Sequence, residues 1–386
     1  MTVFDAIVGQ DKAIETLKKA TAAAANQLAS QEMTHAWLFI GPPGSGRSNL
    51  AIAFATSITC TKGGCGVCTD CQTALLGNHP DIEIFATEGI SVKVDEIREL
   101  VSRASWGASI APWRVVVIED CDRMTESAAN ALLKAIEEPG TQTVWILCAP
   151  SVDEVLPTIR SRCRLLSLQT PTTKDITEYL ESNLKINPET AKLSALAAQG
   201  HIGRAKYFAT DACALQVRSK VLKLFTSISS EHQAIQVAAE LVEMAITRSE
   251  VRNQEFDQKE EENLRLTIQR PSRGFLQGGS KALKELEKTQ KNRNTRTIRD
   301  EIDSYLIYLQ SFLRDAILYN KNSTQPLINA DMAKEIESIQ ANSVPAKLEE
   351  LALRINHYRF GLDSNASQLL TLESLGLDFL ASTRGR

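Results

Sequence analysis

The sequence predicts an α/β domain followed by an all-α region, and three observations carry that reading. The apolar run Ala36-Trp37-Leu38-Phe39-Ile40 stops at Gly41-Pro42-Pro43-Gly44, as a buried strand running into a turn does. Two similar runs, Val115-Val116-Val117-Ile118 and Val144-Trp145-Ile146-Leu147, flank a helix-forming segment from Ser127 to Glu138. From Pro171 onward the apolar spacing is helical and no convincing strand returns. Strands that alternate with helices imply a parallel sheet covered on both faces.

The elements follow in order. Ile14, Leu17 and Lys18 fall at helical spacing, and the stretch Ala20 to Ala25 continues that helix. After the first strand a helix is expected from Ser48, with Leu50, Ala51, Phe54 and Ala55 as its apolar face. Between Ser249 and Arg299 the composition shifts. Glu260-Glu261-Glu262 lies in an acidic stretch, followed by Pro271-Ser272-Arg273-Gly274, Gly278-Gly279 and the basic series Lys281, Lys284, Lys288, Lys291, Arg293, Arg296 and Arg299. This reads as a partly ordered insertion, a solvated loop with a charged helix. Helical spacing resumes at Ile302, Leu306, Leu309 and Leu313.

A chain of 386 residues is too long for one ordinary core and implies two or three domains. Apolar residues at 43% and charged residues at 23% match a globular protein, and the sparse aromatics, 5%, favour helices over sheet. A net charge of -4 argues against a protein that wraps DNA alone through a dominant basic surface, so nucleic-acid contact would be local or shared. The first residues lack a basic region followed by an apolar stretch, and no segment offers about 18 uninterrupted apolar residues, so a cytoplasmic location without membrane contact is expected. A reducing compartment makes a disulfide framework improbable for the 8 cysteines.

The segment Gly41-Pro42-Pro43-Gly44-Ser45-Gly46-Arg47-Ser48 fits a strand-to-helix phosphate loop at every position except Arg47, where a Lys is expected. Gly41 ends the strand, Gly44 and Gly46 let the backbone curl its N–H groups toward phosphate oxygens, and Ser48 would ligate Mg2+. An ordinary Gly/Pro turn is the plainer alternative, but the flanking strand and helix favour the loop. The planar guanidinium of Arg47 is larger than an ammonium and prefers a bidentate approach, so ATP binding without turnover is expected. Glu119 and Asp120, in Glu119-Asp120-Cys121-Asp122, stand where a Mg-holding acid and a water-orienting acid belong, with Asp120 one methylene short; solvated acids at a strand end are the alternative. Cys148-Ala149-Pro150 offers no hydroxyl or amide to sense a terminal phosphate. Three departures together predict weak or absent ATPase activity.

Cys60, Cys65, Cys68 and Cys71 give the spacing C-x4-C-x2-C-x2-C, with Gly63, Gly64 and Gly66 bending the chain between them. Four thiolates suit tetrahedral Zn2+ in a structural site; an iron–sulfur cluster or a redox dithiol is the alternative, disfavoured by the spacing. The cysteines at 121, 148, 163 and 213 read as core residues.

These motifs carry a resemblance. Asp5-Ala6-Ile7-Val8-Gly9-Gln10, His35-Ala36-Trp37-Leu38-Phe39, the loop at 41–48, the four cysteines and His79-Pro80-Asp81 follow the order seen in bacterial clamp-loader subunits of the AAA+ family. So do Ala129-Asn130-Ala131-Leu132-Leu133-Lys134, Glu137-Glu138-Pro139 and Pro157-Thr158-Ile159-Arg160-Ser161-Arg162-Cys163. The likeness is specific over residues 1 to about 210 and weaker beyond, where Asn365 to Leu375 is similar to the closing helix of the family's collar. Arg47 and the degenerate acids resemble the delta-prime type rather than the gamma/tau motor, and the segment Lys284 to Arg299 with Tyr305 to Leu318 resembles the actinobacterial form.

The resemblance implies a RecA-like AAA+ domain over 1–168 with a zinc module at 60–71, a helical lid over 169–214, and a helical collar over 215–386 with the charged insertion at about 249–300. It implies gamma/tau and delta subunits as partners within the DNA polymerase III holoenzyme, with the sliding clamp and primer-template DNA reached through the assembly. Arg162 would act in trans on ATP held by a neighbouring gamma/tau subunit; taken alone it reads as a surface Arg paired with a local acid. The family's lid arginine falls at Gly203, with Arg204 shifted by one, so neither takes a nucleotide role and His201 reads as structural. The competing reading is an ATP-hydrolysing gamma/tau-like motor or another AAA+ ATPase. No polymerase active site is visible.

Overall fold

The computed structural model describes residues 2–25, 32–87, 91–211, 213–269, 279–320 and 325–384. The chain forms two compact units, Met1–Ala212 and Cys213–Arg386. The first runs α1 (Asp11–Ala25), β1 (Ala36–Ile40), α2 (Arg47–Thr59), α3 (Thr69–Leu75), β2 (Ile82–Phe85), α4 (Val94–Ala104), β3 (Arg114–Ile118), α5 (Glu126–Glu137), β4 (Thr143–Ala149), α6 (Pro157–Arg160), β5 (Arg164–Ser167), α7 (Thr173–Leu184), α8 (Pro188–Ala198) and α9 (Ile202–Thr210).

The five strands form one parallel sheet in the order β2-β3-β4-β1-β5. The three apolar runs of the sequence are its central strands, buried along their whole length. Strand periodicity sends Trp37 and Phe39 of β1 to the face covered by α1 and α2, and Ala36, Leu38 and Ile40 to the face covered by α4 and α5. Trp37 meets Phe54 of α2 edge-on at 5.2 Å between ring centroids. Each such fully buried side chain stabilises the fold by about 2–3 kcal/mol. The edge strands β2 and β5 lack a continuous apolar run, because each is covered on fewer sides: Glu83 in β2 pairs with Arg103 at 2.6 Å and Arg114 at 2.8 Å, and Arg164 of β5 stacks over the Trp37 ring at 4.9 Å.

Asp81 sets the approach to β2 and β3. Its fully buried carboxylate accepts from the backbone N–H groups of Ser109, Ile110 and Ala111 at 2.6, 2.8 and 2.8 Å, and the N–H of Asp81 donates to His79 Nδ1 at 3.1 Å. Burial alone would raise its carboxyl; the three N–H groups outweigh that and hold it below the usual range. His79-Pro80-Asp81 is thus a structural motif.

The second unit is helical: α10 (Ala214–Ser227), α11 (Glu231–Gln269), α12 (Gly279–Asn320), α13 (Ala333–Asn342), α14 (Pro345–Asp363) and α15 (Gln368–Thr383). The charged helix expected in the insertion is present, and the acidic stretch is helical as well. Residues 249–269 and 279–300 continue two long helices of 39 and 42 residues; Pro271-Ser272-Arg273-Gly274 and Gly278 lie outside the described residues. Polar contacts join these helices among the described residues. Ser249 and Asn253 hydrogen-bond Asn294 at 2.5 and 3.3 Å, while Arg293 pairs with Asp257 at 2.5 Å and Glu260 at 2.9 Å and lies over the Phe256 ring. Further along α12 the apolar spacing takes over, and Tyr305, Leu306, Leu309, Phe312 and Leu313 are buried. Among the described residues no helix is long and apolar enough to cross a membrane.

Candidate functional site

The phosphate-loop sequence lies at the C-terminal edge of the parallel sheet, the edge where ligands bind in open α/β folds. Gly41 leaves β1 with its N–H donating to Ala149 O at 3.3 Å. Gly46 caps α2 at φ 91°, a left-handed conformation that favours glycine, so the helix begins at Arg47, one residue earlier than expected, with Ser48 in its first turn. Gln10, itself buried, ties the loop to its surroundings by donating to Ser45 O at 3.2 Å and Gln169 O at 2.7 Å.

The start of α9 packs directly onto this loop. The N–H of Ile202 donates to Gly44 O at 3.1 Å, and a Cβ added to Gly44, whose φ is +84°, would come within 2.2 Å of His201 Cγ. His201 also caps α9, its Nδ1 accepting from the Arg204 N–H at 3.2 Å. Burial, helped by the neighbouring Arg204 charge, pulls the His201 imidazole down to about 4, so it is neutral at pH 7. The structural part expected of His201 holds, but the contact with Gly44 is not legible in the sequence; its local signal is the turn at Gln199 and Gly200, with φ of 51° and 82°, just before it.

The two predicted acids follow β3. The Glu119 N–H donates to Phe85 O at 2.9 Å, while Asp120 adopts φ 51° with its carboxylate 3.9 Å from Arg123 Nε. Asp122 reaches deeper, with a buried Oδ1 that has no hydrogen-bond partner among the described residues, and burial raises its carboxyl. The Arg47 guanidinium is near enough to Asp122 and Cys148 to favour their ionised forms, and one of its Nη atoms is buried without a hydrogen-bond partner among the described residues. Cys148, opposite Phe39 in the β1–β4 register, is pushed by burial up to about 12. Its thiol is inert and offers no sensor for phosphate. Gly41, Gly44, Gly46, Arg47, Ser48, Glu119 and Asp120 therefore gather at one sheet edge, and an arginine stands among the acids where the loop's lysine was expected.

The cysteine cluster lies between α2 and α3. The sulfurs of Cys60, Cys65, Cys68 and Cys71 all lie within 4.8 Å of one another, with Cys60 3.6 Å from Cys68 and 3.9 Å from Cys65. A tetrahedral zinc thiolate centre spaces its sulfurs by about 3.8 Å. Backbone amides support the thiolates: the Lys62 N–H donates to Cys60 at 3.3 Å and the Cys71 N–H to Cys68 at 3.4 Å. The N–H groups of Val67 and Cys68 bring the Cys65 thiol down to about 6, whereas burial pushes Cys71 up. A central cation would offset that burial cost. The four residues fit a bound metal ion and leave no open position for chemistry.

Arg162 follows α6, and its partners are not phosphate-loop residues. Nε donates to Glu137 Oε1 at 2.5 Å, and Nη1 donates to Thr158 O at 2.9 Å and Ser161 Oγ at 3.2 Å. The Arg162 and Glu137 side chains are 39% and 46% exposed, so the pair lies on the surface.

Known proteins resemble this chain in both units. The family model described as DNA polymerase III, delta subunit, matches residues 16–172, and that described as DNA polymerase III, delta subunit, C terminal, matches residues 280–378. DNA polymerase III subunit delta' of Bacillus subtilis is 32% identical over 203 residues, covering 52% of this chain and 61% of that protein. The delta' subunit of Pseudomonas aeruginosa is 36% identical over 172 residues, covering 43% of this chain and 52% of its own length. The matched region thus spans about half to three-fifths of these relatives. The crystal structure of a gamma subunit-related DNA polymerase III protein from Thermotoga maritima aligns with 96% of this chain and 99% of its own, at TM-score 0.40 and 17% identity. With the two models matched in order along one polypeptide and both relatives being delta' subunits, the chain belongs to the DNA polymerase III delta-prime family.

Proposed function

We propose that the chain serves in a clamp loader as a subunit that hydrolyses little or no ATP itself and completes the ATP site of a neighbouring gamma/tau subunit with Arg162. The contact of α9 on the phosphate loop is compatible with this, since the His201 ring packs against Gly44 and the Ile202 N–H ties down its carbonyl. The loop departures at Arg47, Asp120 and Cys148 point the same way. In trans, the Arg162 guanidinium would balance charge that spreads over the transferring phosphoryl oxygens, a contribution of about 10³–10⁵ in rate for such arginines. The measurement that tests this reading is ATP turnover by the assembled complex carrying Arg162→Ala.

Within the proposal, residues 1–168 form the AAA+ domain, 169–214 its lid and 215–386 the collar. The left-handed cap at Gly46 and the hydroxyl of Ser48 favour retained nucleotide binding, with Gly41, Arg47, Glu119 and Asp120 around the phosphates and Mg2+. Partners are gamma/tau and delta subunits in the cytoplasm, with the sliding clamp and primed DNA reached through the assembly. Zn2+ is the ion assigned to Cys60, Cys65, Cys68 and Cys71, where it would supply folding energy rather than catalysis. Metal analysis should find about one zinc per chain, lost in Cys60→Ser; freshly purified protein free of zinc would remove the assignment.

A further inference from the structure

We infer that Glu137 is a positioning residue for Arg162, holding its guanidinium so that the outer nitrogen Nη2 faces the neighbouring subunit's ATP; this rests on the trans role proposed above. An arginine side chain has many rotamers in water, and a charge-stabilising group acts fully only when held in place before the reaction. Arg162 is held from two sides: Glu137 Oε1 takes the Nε–H at 2.5 Å, and Thr158 O with Ser161 Oγ take Nη1 at 2.9 and 3.2 Å. Nη2 has no partner among the described residues, so the fork is fixed at its root and open at its tip.

The two ends of this contact come from different parts of the fold. Glu137 is the last residue of α5, and Arg162 lies between α6 and β5, 25 positions later. Thr158 and Ser161 are neighbours of Arg162 in the chain and would travel with it, whereas Glu137 anchors it to a helix whose Ala128, Ala129, Leu132 and Ile136 are buried on the sheet. An exposed ion pair adds little to stability in water. Its value here is orientation, and it grows as a neighbouring subunit excludes water from this edge.

The test uses the full chain assembled with its gamma/tau and delta partners and reads the Arg162-dependent turnover, the difference between wild-type and Arg162→Ala complexes. Glu137→Ala should reduce that share of kcat about tenfold while KM for ATP stays within about twofold. Glu137→Gln, which keeps an acceptor for Nε–H without the charge, should restore part of the loss. The double variant should be no slower than Arg162→Ala alone, because Glu137 acts through the arginine. Full turnover in Glu137→Ala, or a further loss when it is added to Arg162→Ala, would overturn the inference and leave the trans role standing. An Arg162→Ala complex as active as wild type would overturn both.

Discussion

The phosphate loop and the Arg162 edge belong to the same unit but face opposite needs. At the loop, polar groups are turned to the chain's own use: Gly44 O accepts from Ile202, Ser45 O from Gln10, and Arg47 lies near Asp122 and Cys148. At Arg162 the charge is fixed at its base and left on the surface. Phosphate is met by loop N–H groups, and these contacts take up loop carbonyls instead, so on the proposed reading the contrast is between a loop braced from behind and an arginine held at its base for a neighbour.

Gly44→Ala should break the loop side of that contrast with the largest effect. The new methyl meets the His201 ring at a φ of +84°, and destabilisation of about 2–4 kcal/mol is expected. Adding His201→Ala should recover part of the loss in urea unfolding, since it removes the ring clash but leaves the His201 Cα 2.7 Å from the new methyl and the φ of +84°; no recovery would mean that the backbone contact and strain alone set the cost.

A smaller effect, dependent on pH, sharpens the same contact. His201 titrates at about 4 in the folded chain against about 6.5 unfolded. Between those values the unfolded chain takes up the proton first, so stability should fall as the pH drops from 6.5 toward 4, by up to about 3 kcal/mol. Above 6.5 His201 contributes no slope. His201→Gln should flatten this part of the stability curve, and an unchanged slope would assign it to other groups.

The sequence revealed the buried parts of the fold better than its edges. β1, β3 and β4 are apolar throughout because helices cover both faces, whereas β2 and β5 mix Glu83 and Arg164 into short segments that periodicity does not separate from loops. The charged stretch before Arg299 reads as a partly ordered insertion, a solvated loop with a charged helix, because its pairing with the preceding helix relies on Arg293, Asn253 and Asn294. Likewise the loop glycines and the four cysteines are legible from spacing, since their chemistry is local. The His201–Gly44 and Glu137–Arg162 contacts join residues 157 and 25 positions apart, and only folding brings them together.

The most direct measurement is steady-state ATP turnover of the reconstituted complex with wild-type or Arg162→Ala chain, at matched assembly. The site completed by this chain should slow by about 10³-fold or more, removing its share of the turnover while the subunits remain associated. Equal turnover by the two complexes would contradict the account.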